Sequence, residues 1–130
     1  MKYWAVGTNK EIDDIFLAKN EWWTDYDDSQ KEGKKHRRWI KEKMNVGDKV
    51  ALKTRNIRGK SLKIFAIGNV EKKFDDYSGF NVKWGKLIEP RVTSSTFGQT
   101  STIKEIKDRK AINEIFHLSA EPQTRKEKTI

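Results

Sequence analysis

The sequence predicts an α+β domain: a strongly bent mixed β-sheet or small barrel of about five or six strands, with flanking helices. Three observations carry this expectation. Aromatic and branched residues recur in short runs between turn residues, at "KYWAVG", "KVALKTR", "SLKIFAIGNVEKKF" and "FNVKWGKLI". Helical spacing occurs near the start, middle and end of the chain, inserted among roughly five strands. The 130 residues suffice for one domain with one modest core, and 11% aromatic content is too rich for a disordered chain.

Residues 2–7, "KYWAVG", read as the first strand, with no breaker before Gly7. Thr8 with Glu11 three residues on has the capping-box pattern and opens a short helix through about Lys19, burying Ile12, Ile15, Phe16 and the stem of Lys19. "NEWWTDYDD" has neither helical nor strand period and reads as an aromatic loop, followed by a solvated, flexible stretch at 29–35. In "KKHRRWIKEKM", His36, Ile40 and Met44 fall on one helical stripe with Trp39 beside it. "NVGD" turns the chain into "KVALKTR", where Val50 and Leu52 point inward against Ala51, Lys53 and Arg55.

"NIRGK" reads as a hairpin turn, and the long strand after it carries Gly68, a sign of a bulge or a close backbone approach. "FNVKWGKLI" reads as one strand with Phe80, Val82 and Trp84 on one face; a short strand within Val92–Thr96 is open. Thr102 with Glu105 repeats the capping-box pattern and predicts helix over 103–116, burying Ile103, Ile106, Ile112, Ile115 and Phe116. The domain is expected over residues 1–120, with 121–130 as a flexible tail or linker stub.

Twenty-eight Lys and Arg against nineteen Asp and Glu give a net charge of +9, which favours a polyanionic partner and nucleic acid above others. The absence of cysteine removes disulfides, thiolate catalysis and cysteine zinc sites, and suits a reducing cytoplasm. His36 and His117 stand alone, so neither a metal nor a cofactor is expected. No apolar run is long enough to span a bilayer, and the opening residues are interrupted too soon for a signal peptide, so no membrane partner is expected.

Nothing in the chain demands catalysis. Asp13 and Asp14 sit in a helical first turn, where the dipole favours acids. Asp75 and Asp76 belong to a turn, and Asp25–Asp28 lack the spaced ligands of a calcium loop. The expectation is a binding module rather than an enzyme. Trp22, Trp23 and Tyr26, interleaved with Thr and Asn and followed by Lys and Arg, have the chemistry for an unstacked base: rings to stack on it, polar groups for its edge, cations for the flanking phosphates. Adjacent residues in an extended segment point oppositely, so one tryptophan can enter a core while the other stays free.

The order of elements resembles the EVE/YTH-like branch of the PUA superfamily, and within it the N-terminal recognition domains of McrB-like, modification-dependent restriction proteins. The residues that carry the likeness are "KYWAVG", "FLAKNEWWTDY", "MNVGDKVALK", "IFAIGNV" and "FNVKWGKL", over about residues 2 to 88, with "STIKEI" and "INEIF" as a family-like close. The resemblance implies a PUA-like fold and an aromatic cage for a modified, flipped-out base of DNA. It places Trp23 and Trp84 in the cage, with Trp22 competing with Trp23, Tyr26 as the third wall, and Thr8, Asn9 and Thr24 as polar readers. It gives Lys34, Lys35, Arg37, Arg38, Lys53, Arg55, Arg58 and Lys60 the task of lining the mouth and neutralising phosphates. In this setting a motor ATPase or GTPase and a nuclease act as partners elsewhere. Three alternatives stay open: an RNA-binding reader of methylated RNA; an ASCH-like hydrolase of modified nucleosides, for which Lys53 is the position to watch; and a purely structural interaction module whose pocket is filled by its own side chains.

Overall fold

A computed structural model describes residues 1–8, 13–56, 60–98 and 101–116. The elements in order are β1 (Tyr3–Gly7), α1 (Asp13–Lys19), β2 (Glu21–Trp23), α2 (Lys31–Glu42), β3 (Lys49–Asn56), β4 (Ser61–Lys73), β5 (Gly79–Val82), β6 (Gly85–Val92), β7 (Ile103–Ile106) and α3 (Arg109–Phe116). The class is α+β, as the sequence predicts. Seven strands form one mixed sheet in the order β2-β5-β4-β3-β1-β7, with β6 also paired to β4. The β1–β3 pair is parallel, and the other pairs are antiparallel. The sheet is open, with β2 and β7 at its two ends, rather than a closed barrel.

Hydrophobic cores on both faces explain most departures from the sequence reading. One core gathers Trp4, Val6, Phe16, Trp22, Ile40, Met44, Val50, Leu52, Phe80 and Val82. The other gathers Ala5, Ala51, Leu62, Ile64, Ile106 and the α3 residues Ala111, Ile112, Ile115 and Phe116. Strand β3 is therefore covered twice, and Ala51 and Lys53, read as outward residues, are buried. The same geometry disguises β7. Ile103 and Ile106 are three apart, which on a helix is one face; here they enter opposite cores from a strand paired to β1. The five residues expected to be buried between 103 and 116 are buried, but the helix is only α3, whose first turn is held by Ala111 N–H donating to Asp108 Oδ2 at 3.3 Å.

Strand β4 crosses between the cores. Leu62 and Ile64 lie in one, Ala66 and Val70 in the other, although all four share sequence parity. The pairings of β4 with β3 and with β6 both slip at Phe65, and one extra residue reverses which side chains face which core. Gly68 meets the expected close approach: a Cβ there would sit 2.6 Å from the Lys83 carbonyl oxygen.

Several boundaries move. The aromatic loop is a short strand, since Trp22 pairs with Phe80 and Trp23 with Gly79. Helix α2 begins at Lys31, inside the stretch expected to be solvated, and Gly33 is buried there because Asp27 O occupies the place of a Cβ. "FNVKWGKLI" splits into β5 and β6. Ile15 is 41% exposed, while Phe16 carries the burial of α1. Strand β6 ends at Val92. The proposed cap at Thr8–Glu11, the turn at 57–59 and the tail at 121–130 lie wholly or partly outside the described residues.

Candidate functional site

The ends of β1, β2 and β3 meet around an open cavity of about 290 Å³. That is the small end of the ligand-cleft range, about 300–1,000 Å³, and suits a group the size of one base. Its frame is hydrogen-bonded. Gly7 N–H donates to Thr102 O at 2.7 Å, Thr8 N–H to Lys53 O at 2.9 Å, and the Trp22 indole N–H to Gly7 O at 2.9 Å. The last bond ties β2, at one end of the sheet path, to β1 near the other.

The alternation expected of Trp22 and Trp23 is present. Trp22 is buried between Phe16 and Phe80, with ring centroids 6.2 and 5.7 Å away, and closes the inner wall. Trp23, the next residue, is half-buried. It packs edge-on against Phe16 at 5.0 Å, is braced by its indole N–H donating to Glu21 Oε2 at 3.0 Å, and lines the cavity. Tyr26, 38% exposed, adds a further ring.

Tyr26 is positioned by α2. Its ring meets His36 edge-on at 5.5 Å, and its carbonyl accepts from Arg37 Nη1 at 3.0 Å. His36 itself is buried, and its Nδ1 lies 2.7 Å from Thr24 Oγ1. Burial holds the imidazole below its usual pKa, with Glu32 opposing that shift. Thr24 Oγ1 also accepts from Tyr26 N–H at 3.3 Å.

Lys53 is the least expected wall. It is 3% exposed, yet it lines the cavity, and its ammonium donates to Ser101 O, another lining residue, at 2.7 Å. An ammonium has three donors, and no other bond engages this one among the described residues. Burial, with a smaller contribution from Arg55, pulls its pKa from 10.5 to about 8. Arg55 is exposed at the rim, and Asp25, Thr54, Ser101 and Thr102 complete the lining. The arrangement offers ring faces, hydroxyls, a carboxylate and two cations within one small volume.

Thus Trp22, Trp23, Tyr26, Thr8, Lys53 and Arg55 converge as the sequence suggested. Trp84 does not. It is 9% exposed inside the first core, with its indole N–H donating to Glu21 O at 3.2 Å and its backbone N–H to Asn20 Oδ1 at 3.2 Å. Trp84 therefore supports β2 from within instead of walling the cavity. Thr24 is likewise corrected: it is buried and engaged with His36. Lys34, Lys35, Arg37, Arg38 and Lys60 do not line the cavity. Arg37 spends its guanidinium on the carbonyls of Tyr26 and Gly33, and Lys35 lies 3.2 Å from Glu32. Asn9 and Arg58 lie outside the described residues. Ser101 and Thr102 were missed because the segment before β7 reads as a helix cap, and Asp25 because an acid in a loop is ordinary.

No protein-family model matches this chain, and no curated protein matches it. Among the described residues no group of three or more His, Asp or Glu could hold a metal ion.

Proposed function

We propose that this chain is a PUA-like nucleic-acid-binding module that accepts a single modified base of DNA in the cavity between β1, β2 and β3. The observation that carries the reading is the convergence there of Trp23 and Tyr26 with the cations Lys53 and Arg55, in a chain of net charge +9. A base entering this space stacks on aromatic surface, worth about 1–3 kcal/mol. The Lys53 ammonium donates to a base carbonyl or a phosphate oxygen, and Arg55 at the rim meets the flanking phosphate. Leaving the duplex costs the base a few kcal/mol, which these contacts offset. The module does no chemistry; a motor ATPase or GTPase and a nuclease elsewhere act on the site it marks. The DNA preference rests on the resemblance to McrB-like recognition domains.

The test is a binding screen of matched oligonucleotides, DNA and RNA, bearing methyl-adenine, methyl-cytosine, hydroxymethyl-cytosine or no modification. Tighter binding to one modified DNA supports the proposal. Tighter binding to methylated RNA moves the same site to an RNA reader, and equal binding to all removes base recognition.

Lys53 favours one second reading. A lysine with a pKa near 8 in a cavity has the proton affinity wanted of a catalytic base at neutral pH, as in an ASCH-like nucleoside hydrolase. Hydrolytic turnover of acylated nucleosides to acid and nucleoside, or of N-methylated ones to methylamine and the deaminated nucleoside, abolished in Lys53→Met, would establish it; no turnover across the panel would remove it.

A further inference from the structure

A second cavity, of about 380 Å³, opens beside the C-terminal end of α2, between Trp4, Trp39 and the end of β7. Trp39 distinguishes it. The other four indole N–H groups are each bonded: Trp4 to Asp48 Oδ2, Trp22 to Gly7 O, Trp23 to Glu21 Oε2 and Trp84 to Glu21 O. Among the described residues Trp39 Nε1 has no partner. Its half-buried ring packs on the first core on one side and lines the cavity on the other. Two ammonium groups hover over the ring, Lys35 Nζ at 5.1 Å and Lys43 Nζ at 5.9 Å from its centroid.

The chemistry around Trp39 is mixed in sign. Lys104 and Lys107 join Lys43 at the cavity, but Glu105 and Asp108 line it too. Two carboxylates oppose a bare phosphate as the occupant. They suit a base, whose amino groups donate to acids while its phosphates meet the lysines. An exposed ammonium–ring contact is weaker than base stacking on the same ring, so an incoming base displaces Lys35 or Lys43 towards the phosphates.

Position relates this cavity to the first. Trp4 pairs with Glu105 at the second cavity, while Gly7, bonded to Thr102, lies at the first. Three steps along β1 separate Trp4 from Gly7, roughly 10 Å at 3.3 Å per residue. A stacked strand covers that in about three nucleotide steps of 3.4 Å. Lys104, paired with Ala5, is the next residue along β7 from Glu105, and its ammonium donates to Gly98 O at 3.4 Å.

We infer that Trp39 and its lysines form a second nucleotide site, which stacks an unpaired base about three nucleotides along the same strand from the base in the Trp23 cavity. The inference rests on the nucleic-acid reading and deepens it. The preferred ligand becomes a single-stranded or opened segment offering two unpaired nucleotides, because a duplex would have to release both.

The experiment compares a mononucleotide with a single-stranded DNA hexamer and its duplex, following the Trp39 indole N–H by NMR and affinity by anisotropy. The hexamer is expected to shift the Trp39 signal and the mononucleotide to leave it in place. Trp39→Leu should weaken hexamer binding about fivefold or more and leave mononucleotide binding unchanged. Should Trp39→Leu not fold, Lys43→Gln with Lys107→Gln, both at the cavity, should lower hexamer affinity and its salt slope. A bound hexamer with an unmoved Trp39 signal and unchanged affinity in these variants overturns the second site and leaves the first standing. Equal or tighter binding of the duplex also overturns it. Failure of every nucleic acid to bind overturns both.

Discussion

Two cationic regions of this molecule differ in how their charges are held. On α2, Lys34 and Arg38 are exposed, while Lys35 and Arg37 are occupied by Glu32 and by the carbonyls of Tyr26 and Gly33. In the cavity at the end of β1, one buried lysine and one rim arginine face a space bounded by aromatic rings. The helix has more charge; the cavity has charge in a place. An exposed cation is screened by salt and free to move, so it adds general attraction for a polyanion. A desolvated ammonium beside a ring selects what fits. The abundance of Lys and Arg in "KKHRR" drew the sequence reading to the helix, whereas burial marks Lys53.

The sharpest break between scaffold and site lies within one dipeptide. Trp22→Ala removes a ring packed on Phe16 and Phe80 and should cost about 3–5 kcal/mol of stability in chemical denaturation, with Trp84→Ala similar. Survival of either variant at native stability would mean the ring is not core. Lys53→Met comes next, with effects of opposite sign on folding and binding. The displaced pKa corresponds to a burial penalty on the order of 3 kcal/mol, less the hydrogen bond to Ser101 O, so the variant should be about 1–2 kcal/mol more stable yet bind the modified oligonucleotide more weakly.

The wild-type pH dependence carries the same sign. Below about pH 8 the folded and unfolded chains both hold the proton and the penalty is present in full. Between about 8 and 10.5 the unfolded chain binds it more, so stability rises with pH across that window, while nucleic-acid binding falls as Lys53 loses its charge. Denaturant midpoints from pH 7 to 10.5, compared with Lys53→Met, measure this contribution.

Trp23→Leu should leave the fold within about 1 kcal/mol of native stability and weaken binding of the modified base by about 1–3 kcal/mol. Smallest is the change at the helix: Lys34→Gln with Arg38→Gln should reduce the slope of log affinity against log salt by roughly one to two, without altering the preference for a modified base. Loss of that preference in the helix variant, with none in Trp23→Leu, would exchange the roles of the two regions.

Much of this was legible because local period and tertiary environment agreed. His36, Ile40 and Met44 share a face and are buried together; Phe80 and Val82 enter one core; Trp22 is buried while Trp23 beside it is half-exposed. Where reading failed, a second core was the cause. Ile103 and Ile106 look helical only if one buried face is assumed, and Lys53 looks exposed on the same assumption. Trp84 was placed in the cage by resemblance and sits in the interior, bonded to the strand that carries Trp23. The alternation of Phe80, Val82 and Trp84 had set this indole on the core face, and all three are buried in one core.

The most direct measurement follows the five indole N–H signals by NMR during titration with a modified mononucleotide. Recognition at the β1–β2–β3 cavity should move the Trp23 signal most and Trp22 less, and leave Trp4 and Trp84 in place. Saturable binding that leaves Trp23 unmoved, or moves Trp84 most, would contradict it.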